Sequence, residues 1–157
     1  MGGPYDAVTH SPMGWLGIRW DGGAVSAIDF LAEAPDTPRP AAATRPATDA
    51  LAAYFAGDRS ALDRLPVRLA GTPFQQRVWA RLRAIPPGET LSYGALAREL
   101  GSSARAVGGA CRSNPVPLAV PCHRVVAAAG LGGYSGERGG DWLEKKRWLL
   151  RHEGAIP

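Results

Sequence analysis

A cysteine and a histidine stand side by side in the C-terminal half of the chain, at Cys122 and His123. The nucleophilic form of cysteine is the thiolate, and a neighbouring imidazole or helix N-terminus can generate it at neutral pH. Three prolines precede the pair, between residues 114 and 122. Proline fixes its own φ and favours an extended conformation in the residue before it. The pattern predicts that residues 116–120 form an extended, largely buried run that delivers one thiol to a defined position.

The same pair also has a purely structural interpretation. A free cysteine in an intracellular protein is often a small buried hydrophobic residue, and a Cys-His dipeptide occurs by chance. On Cys122 and His123 alone the structural interpretation is the better one. The remainder of the C-terminal half has to decide between the two.

Composition places the chain among ordinary globular proteins, with 157 residues of which 45% are hydrophobic. No apolar run approaches the roughly 20 residues that cross a bilayer, and the first residues lack the basic and apolar regions of a secretory signal. Cys111 and Cys122 make a poor disulfide framework, so we expect a reducing, cytoplasmic location. The cysteines and the three scattered histidines have no zinc-binding spacing, so no metal site is expected.

Charge is distributed unevenly along the chain. Residues 1–70 carry six Arg and eight Asp or Glu, a net charge of −2, whereas residues 71–157 carry twelve Lys or Arg and six Asp or Glu, a net charge of +6. A basic half beside a mildly acidic half indicates that one side of the molecule binds a polyanion. A solvated basic face is the common alternative.

Residues 1–70 are predicted to form an N-terminal α/β domain. Short runs with partial alternation predict two or three antiparallel strands, at residues 5–9, 15–20 and 24–30. Asp21-Gly22-Gly23 between two of the runs predicts a hairpin.

The second part of this domain is expected to be less regular. Four prolines mark residues 32–46 as an irregular surface loop, and Pro46 suits the first turn of a helix that ends at Gly57. Residues 62–69 are expected to be a strand or an extended connector. We place the domain boundary near Ala70-Gly71.

Residues 71–157 are predicted to form a mostly helical C-terminal domain. Thr72-Pro73-Phe74-Gln75 is a capping box with proline at the first helical position. Ser92 caps a second helix that Gly101 ends, and Ser102 or Ser103 caps a third. Two helices joined by so tight a turn have the lengths of a helix-turn-helix. A last helix is predicted to begin at Asp141.

The third helix has an unusual composition, because Gly108 and Gly109 lie in its interior. Each costs roughly 1 kcal/mol relative to alanine. A helix lined with Ala and Gly is thin enough for its backbone to approach a partner closely, and the minor groove of B-DNA is only about 6 Å wide. The helix could therefore enter that groove, with Arg105 as a wedge between bases. Tight helix–helix packing through the glycines is the alternative.

Together the motifs resemble one family, the O6-alkylguanine-DNA alkyltransferases, which transfer an alkyl group from damaged guanine to a cysteine. The motifs, in the family's order, are Ser92-Tyr93-Gly94, Ala104-Arg105-Ala106-Val107-Gly108-Gly109-Ala110, Asn114-Pro115-Val116-Pro117, Pro121-Cys122-His123-Arg124-Val125, Tyr134-Ser135-Gly136 and Trp148-Leu149-Leu150-Arg151-His152-Glu153-Gly154. The resemblance is strong over residues 72–154 and architectural in the N-terminal half. It implies an α+β fold of two domains, the first a small antiparallel β-sheet with a helix (ribonuclease H-like), the second mostly helical with a helix-turn-helix.

By motif position, the resemblance implies catalytic roles for five residues. Cys122 would accept the alkyl group, His123 would act as the base through a water molecule, and Glu153 would orient that relay. Asn114 would tie the cysteine segment to the recognition helix. Tyr93 would lie beside the flipped nucleotide and donate to the departing guanine.

The resemblance also implies residues that contact guanine and DNA. Tyr134 and Ser135 match a loop that packs on the base, and the backbone carbonyls of Cys122 and Val125 match acceptors for its exocyclic amine. Lys146 is placed near the site without a defined role. The residues expected to contact DNA are Arg105, Ala106, Gly108, Gly109, Arg112 and Tyr93, with Arg105 filling the space that the base vacates.

The implied activity is that of a methylated-DNA–[protein]-cysteine S-methyltransferase that reacts once. It would reverse O6-alkylguanine directly after flipping the base out through the minor groove, without metal or organic cofactor; O4-alkylthymine is left open as a second lesion. The implied partner is double-stranded DNA, bound without sequence specificity by a monomer, with clustering on DNA left open. No membrane partner is expected.

Two features depart from relatives. Some relatives hold a structural zinc in the N-terminal domain, but this chain has no cysteine before Cys111, so none is expected. Cys111 stands where relatives often have a larger apolar residue at the pocket wall. A small buried filler is the preferred interpretation of Cys111, and a roomier pocket for bulkier alkyl groups stays open.

Three other classes are alternatives. Alkyltransferase-like proteins bind alkylated DNA but have Trp in place of the cysteine, so Cys122 argues against that class. A helix-turn-helix regulator would need base-reading side chains on its third helix, where this chain has Ala and Gly. A cysteine hydrolase would turn over repeatedly.

Overall fold

The structure is a computed structural model that describes residues 5–33, 42–128, 130 and 142–157. The predicted helix cap Asp141, the loop residues Tyr134 and Ser135, and most of the proline-rich loop lie outside the described residues. The chain divides into two compact units, Met1–Leu69 with Pro115–Ala119 and Ala70–Asn114 with Val120–Pro157. Within the described ranges, no helix is long and apolar enough to cross a membrane.

Three antiparallel strands begin the first unit, in the order β1-β2-β3. They are β1 (Ala7–Ser11), β2 (Gly14–Asp21) and β3 (Ala24–Leu31). The predicted hairpin is confirmed, because Asp21 pairs with Ala24 across Gly22 and Gly23. Both glycines have positive φ, 59° and 89°, which is the conformation that a two-residue hairpin turn requires.

The helix α1 (Arg45–Phe55) supplies the apolar side chains that pair with the sheet in the core of this unit. Leu51 and Tyr54 of α1 are buried, as are Leu16, Ile18 and Ile28 of the sheet. Proline at the start of α1 suits its first turn, as predicted.

Two segments cover the outer edge of β3. The backbone N–H of Val25 donates to Pro66 O at 2.9 Å and its carbonyl accepts from Arg68 N at 2.8 Å. Further along, Ile28 N donates to Pro115 O at 3.0 Å. The predicted connector after residue 62 is therefore extended where it pairs with β3, and an edge that would otherwise be open is satisfied.

The prediction for residues 116–120 is confirmed in burial and wrong in conformation. Val116, Leu118, Ala119 and Val120 are at most 4% exposed, but Leu118 lies in a turn with φ of 76°. Proline restricts its own φ and the residue before it, and Leu118 is neither a proline nor followed by one. A positive φ costs a non-glycine residue about 1–2 kcal/mol, and burial of a leucine side chain, worth about 1.5–3 kcal/mol, offsets it.

The described residues of the second unit form four α-helices and two short strands. These are α2 (Pro73–Arg83), β4 (Leu91–Ser92), α3 (Tyr93–Leu100), α4 (Ala104–Arg112), β5 (Val125–Val126) and α5 (Trp142–His152). The predicted capping box is confirmed, since Thr72 accepts from Gln75 N and the Gln75 side chain accepts from Thr72 N. Ser92 and Ser103 cap α3 and α4, and Gly101 ends α3 in the left-handed conformation.

A buried tryptophan joins α2 to α4. Trp79 is 1% exposed, and its indole Nε1 donates to Ala110 O at 2.9 Å. Gly71 permits this arrangement, because a Cβ at that position would lie 2.5 Å from the Trp79 ring. The bare backbone at Gly71 is therefore a packing requirement rather than a turn requirement.

We expect Gly71→Ala to destabilise the protein by about 1–3 kcal/mol, because the added methyl group displaces a rigid buried ring. Gly94→Ala is the matched control, since its Cβ would meet only the flexible Arg98 side chain at 3.6 Å. Denaturant unfolding measures both. Equal midpoints for Gly71→Ala and wild type would contradict the packing role.

Candidate active site

Cys122 begins a single 3₁₀ turn, Cys122–Arg124. Its backbone N–H donates to Val120 O at 2.8 Å, and Arg124 N donates to Pro121 O at 3.0 Å. The Cys122 carbonyl accepts from Val125 N, where the chain leaves the turn. The side chains of the three turn residues are 4%, 1% and 3% exposed. The thiol is therefore held by a closed backbone turn and is largely removed from solvent.

Asn114 ties this segment to the end of α4. The residue is 4% exposed, and its side-chain Nδ2 donates to Val120 O at 2.7 Å. Its backbone N–H donates to Cys111 O at 3.3 Å. One amide thus joins the last turn of α4 to the carbonyl two residues before Cys122.

The carboxylate of Glu153 is fully buried and receives three hydrogen bonds from the turn. Its Oε2 lies 2.8 Å from Nε2 of His123. Arg124 grips the same carboxylate with two donors, Nε to Oε1 and Nη2 to Oε2, both at 2.9 Å. The third Arg124 donor, Nη1, bonds Ile85 O at 2.6 Å, just beyond the end of α2. Three segments of the unit, namely the turn, the end of α5 and the end of α2, therefore meet at one charge pair.

The Arg124 role is absent from the sequence prediction. The residue belongs to the Pro-Cys-His-Arg-Val motif, but nothing in the sequence shows that its guanidinium faces Glu153, 29 residues away. Burial of Arg124 is the feature that indicates a partner for it, because arginine is almost never buried without one. That signal needs the tertiary structure.

The protonation states follow from this arrangement. Burial would raise the pKa of Glu153, but the hydrogen bonds and charges of His123 and Arg124 outweigh it and hold that pKa far below its usual range. Burial lowers the pKa of His123, and the attraction of Glu153 only partly compensates. At neutral pH the pair is therefore an ionised carboxylate beside a neutral imidazole.

The tautomer of His123 is then determined. An ionised carboxylate only accepts hydrogen bonds, so Nε2 must carry the proton and donate to Glu153. Nδ1 is left as an acceptor with a lone pair. It is buried and has no hydrogen-bond partner among the residues that the structure describes. The imidazole next to Cys122 can therefore take a proton.

A buried lysine connects Tyr93 to the strand after the cysteine turn. Lys146 is 3% exposed; its Nζ donates to Val125 O at 2.7 Å and lies 3.5 Å from the Tyr93 hydroxyl. Burial lowers the pKa of Lys146, whereas charge on Cys122 and on Cys111 acts in the opposite direction. The parallel pairing of β4 with β5, Leu91 to Val125 and Ser92 to Val126, holds the start of α3 beside the same strand.

One side of α4 carries three of the six residues predicted to contact DNA. Arg105 is exposed, and Gly109 and Arg112 follow at the i+4 and i+7 positions of the same face. Gly108 is buried, which agrees with the packing alternative for that glycine. Gly109 is not, since a Cβ there would meet nothing closer than Arg112 Nη2 at 3.9 Å. The two glycines therefore serve different faces.

The structure brings most of the predicted site residues into the second unit. Cys122, His123, Glu153 and Asn114 are joined by the contacts above, and Lys146 links Tyr93 to Val125. Cys111 is buried in α4. Tyr134 and Ser135 lie outside the described residues. Within the described ranges, no group of three or more His, Cys, Asp or Glu is placed to hold a metal ion.

Comparison with known proteins gives a consistent result for the C-terminal part. Residues 73–155 match the model of the 6-O-methylguanine DNA methyltransferase, DNA binding domain. The chain is similar to the methylated-DNA–protein-cysteine methyltransferase of Shigella flexneri, with 49% identity over 69% of this chain and 63% of that protein. It is also similar to a DNA base-flipping protein of Thermus thermophilus, with 50% identity over 69% of this chain and 71% of that protein.

A solved structure matches both units. The structure of Mycobacterium tuberculosis OGT in complex with DNA is 40% identical, with a TM-score of 0.76, over 94% of this chain and 91% of that one. The match to the Shigella protein spans less than two thirds of that relative's length. The family model covers more than half of the chain. From these matches and the α+β fold, this chain belongs to the O6-methylguanine-DNA methyltransferase family.

Proposed function

We propose that this protein repairs alkylated DNA directly, by transferring the alkyl group of O6-alkylguanine to Cys122, once per molecule. The observation that carries the proposal is the buried contact of 2.8 Å between Nε2 of His123, the residue after Cys122, and Oε2 of Glu153. That arrangement supplies a general base beside a thiol, which is what nucleophilic attack by sulfur requires. The Shigella relative named as a methyltransferase supports the same reaction.

The reaction balances with the groups in the site. The Cys122 thiol gives its proton to Nδ1 of His123, through a water molecule. The sulfur then forms a bond to the alkyl carbon while the bond from that carbon to O6 breaks, and its electron pair leaves with the guanine. The departing guanine anion takes a proton from the Tyr93 hydroxyl and leaves as neutral guanine, and the proton held by His123 returns to Tyr93 through solvent, so that no proton is gained or lost overall. A thioether does not hydrolyse, so the cysteine is consumed.

Tyr93 and Lys146 are proposed to assist the leaving group. A hydroxyl that receives a contact from an ammonium group can donate its own hydrogen more strongly, and Lys146 Nζ lies 3.5 Å from the Tyr93 hydroxyl. The carbonyls of Cys122 and Val125 each have a second lone pair beyond the bonds already described. They are proposed to accept from the exocyclic amine of guanine, with Tyr134 and Ser135 closing over the base. Cys111 is proposed as a small buried wall residue.

We propose that α3 and α4 form a DNA-binding helix-turn-helix with α4 in the minor groove. This face of α4 has no side chain at its middle position, Gly109, and a basic residue at each end, Arg105 and Arg112. Such an arrangement suits a narrow groove that is flanked by phosphates. A base inside a duplex is out of reach of a buried thiol, so it has to be extruded, at a cost of a few kcal/mol. The relative named as a DNA base-flipping protein supports extrusion. Phosphate contacts carry no sequence information, so binding is proposed to be independent of sequence.

The two predicted domains are proposed to divide these tasks. Residues 71–157 would bind DNA and transfer the alkyl group, with residues 1–70 as a ribonuclease H-like domain with a small sheet. The contact division after Leu69 supports the boundary. Residues 115–119 belong by contacts to the first unit, whereas Asn114 and Cys122 belong to the second.

Incubation with duplex DNA that contains O6-methylguanine is expected to add one methyl group to Cys122 and no more. Intact-protein and peptide mass spectrometry measure the adduct. Cys122→Ala should gain no mass, and Cys111→Ser, which removes the other buried thiol, should react as wild type. Binding without any adduct in wild type would indicate a base-flipping protein that lacks transfer, and would reject the proposed reaction.

Gly109→Leu is expected to weaken binding to undamaged duplex by about tenfold or more, since a side chain now stands on the face proposed to enter the groove. Because a Cβ at Gly109 would meet only the end of the flexible Arg112 side chain, at 3.9 Å, the variant should be at least as stable as wild type, helped by about 0.5–1 kcal/mol from removing a helical glycine. Fluorescence anisotropy at fixed salt measures the affinity. Ala52→Leu, at an exposed position of α1, is the control. Unchanged affinity in Gly109→Leu would place the DNA elsewhere.

A further inference from the structure

One buried, heavily bonded side chain of the cysteine turn is not used by the proposed reaction. Arg124 makes three hydrogen bonds while 3% exposed, two to Glu153 and one to Ile85 O. Burying an ion pair is expensive, and replacing one with apolar residues is often neutral or stabilising. The bridge is therefore weak evidence for a role in stability alone.

We propose that Arg124 is a positioning residue, which holds Glu153 ionised and immobile so that His123 remains neutral with the lone pair of Nδ1 available for the cysteine proton. Because His123 is the base only in the proposed alkyl transfer, the inference rests on that function. Arg124 itself touches neither the thiol nor, in this proposal, the base of the substrate.

The geometry supports the claim that Arg124 holds Glu153 immobile. A guanidinium presents its donors in a rigid planar fork, so a carboxylate gripped at both oxygens cannot rotate. Nη1 donates to the carbonyl oxygen of Ile85, which lies just beyond the C-terminal end of α2. The helix dipole favours a cation at that end. The oxygen that accepts from His123, Oε2, also accepts from Arg124 Nη2. Arg124 therefore fixes the position of the Glu153 oxygen that accepts from the His123 imidazole.

The charge balance supports the claim that Arg124 holds Glu153 ionised. Arg124 and Glu153 cancel, so a neutral His123 leaves the cluster without net charge. Without the guanidinium, the neutral imidazole would lie beside a buried carboxylate that has lost its two-donor cationic partner, which is unfavourable. The His123–Glu153 pair would relieve that by binding one more proton, and the base would be blocked. Arg124 thus prevents the His123–Glu153 pair from binding an additional proton.

The charged and titratable groups around His123 in the described part of the chain lie on two segments. Lys146 lies on α5 and Glu153 just beyond its end, whereas Arg124 and Cys122 lie in the turn. The charges of Arg124 and Lys146 both lower the pKa of His123, after the larger effect of burial. Lys146 in turn contacts Tyr93 of α3. Removing Arg124 deletes a repulsive charge in direct contact with the partner of His123, so the pKa of His123 must rise.

The rate of methyl transfer as a function of pH tests the inference. In wild type the rate should fall on the acid side only below about pH 6.5, the usual pKa of histidine, because burial lowers that of His123. In Arg124→Met the acid limb should move to higher pH, and the rate at neutral pH should fall by about tenfold or more, within the 10²–10⁴-fold that a general base supplies. Arg124→Lys keeps the charge without the fork, so the limb should stay near its wild-type position while the maximal rate falls.

Two further variants keep the test independent of folding. Arg124→Met combined with Glu153→Gln removes both charges, and it should be more stable to denaturant than either single variant, with the acid limb returned towards wild type. Arg81→Met is the matched control, because Arg81 grips Glu99 with the same two-donor geometry on the surface, at 2.9 and 3.3 Å. It should leave both the rate and its pH dependence unchanged.

Nitrogen-15 NMR of labelled histidine separates this inference from the proposed function, because it needs no substrate. Wild type and Arg124→Lys should show His123 neutral with the proton on Nε2, and Arg124→Met should show imidazolium at neutral pH. If wild type transfers no methyl group but shows these states, the proposed reaction fails and the role of Arg124 stands. An unmoved acid limb and an unchanged neutral His123 in Arg124→Met would overturn the inference.

Discussion

A carboxylate without solvent exposure lies where the last helix meets the cysteine turn. Glu153 can stay ionised there because Arg124 neutralises it and three hydrogen bonds replace its water. The protonated nitrogen of His123, the course of the turn and the docking of the α2 end through Ile85 all depend on that charge being present and balanced. If either ion were missing, the other would be an unpaired charge in the interior, which is among the costlier defects that a fold can contain.

The cysteine turn itself is positioned from both sides. Asn114 holds the carbonyl of Val120 before the turn, and Lys146 holds the carbonyl of Val125 after it. Between these two clamps the backbone closes its own short hydrogen bonds. A thiol delivered in this way has little freedom to move, and preorganisation of that kind lowers the reorganisation that a reaction needs.

The segment before the turn illustrates what a proline pattern can and cannot predict. Three prolines restrict Asn114, Val116 and Val120, and the burial that they led us to expect is present. The bend at Leu118 falls on a residue that no proline restricts, and its positive φ is tolerated because the side chain is buried. Likewise, the two glycines of α4 are indistinguishable in sequence, yet Gly108 is buried in the unit and Gly109 is not.

Local signals in the sequence were sufficient for the helices and for the three-stranded sheet, whereas the short strands β4 and β5 were not predicted. Capping residues, prolines, the glycine at the end of α3 and the Asp-Gly hairpin determine where helices and strands begin and end, because each acts through its own backbone. The motif order was sufficient to identify Cys122, His123 and Glu153 as candidates. Only the tertiary structure decided that Arg124 faces Glu153, that Lys146 reaches Val125, and which glycine of α4 is exposed. Those facts depend on the burial of charges and on contacts between residues far apart in the chain, and no local pattern records which buried charge will meet which partner.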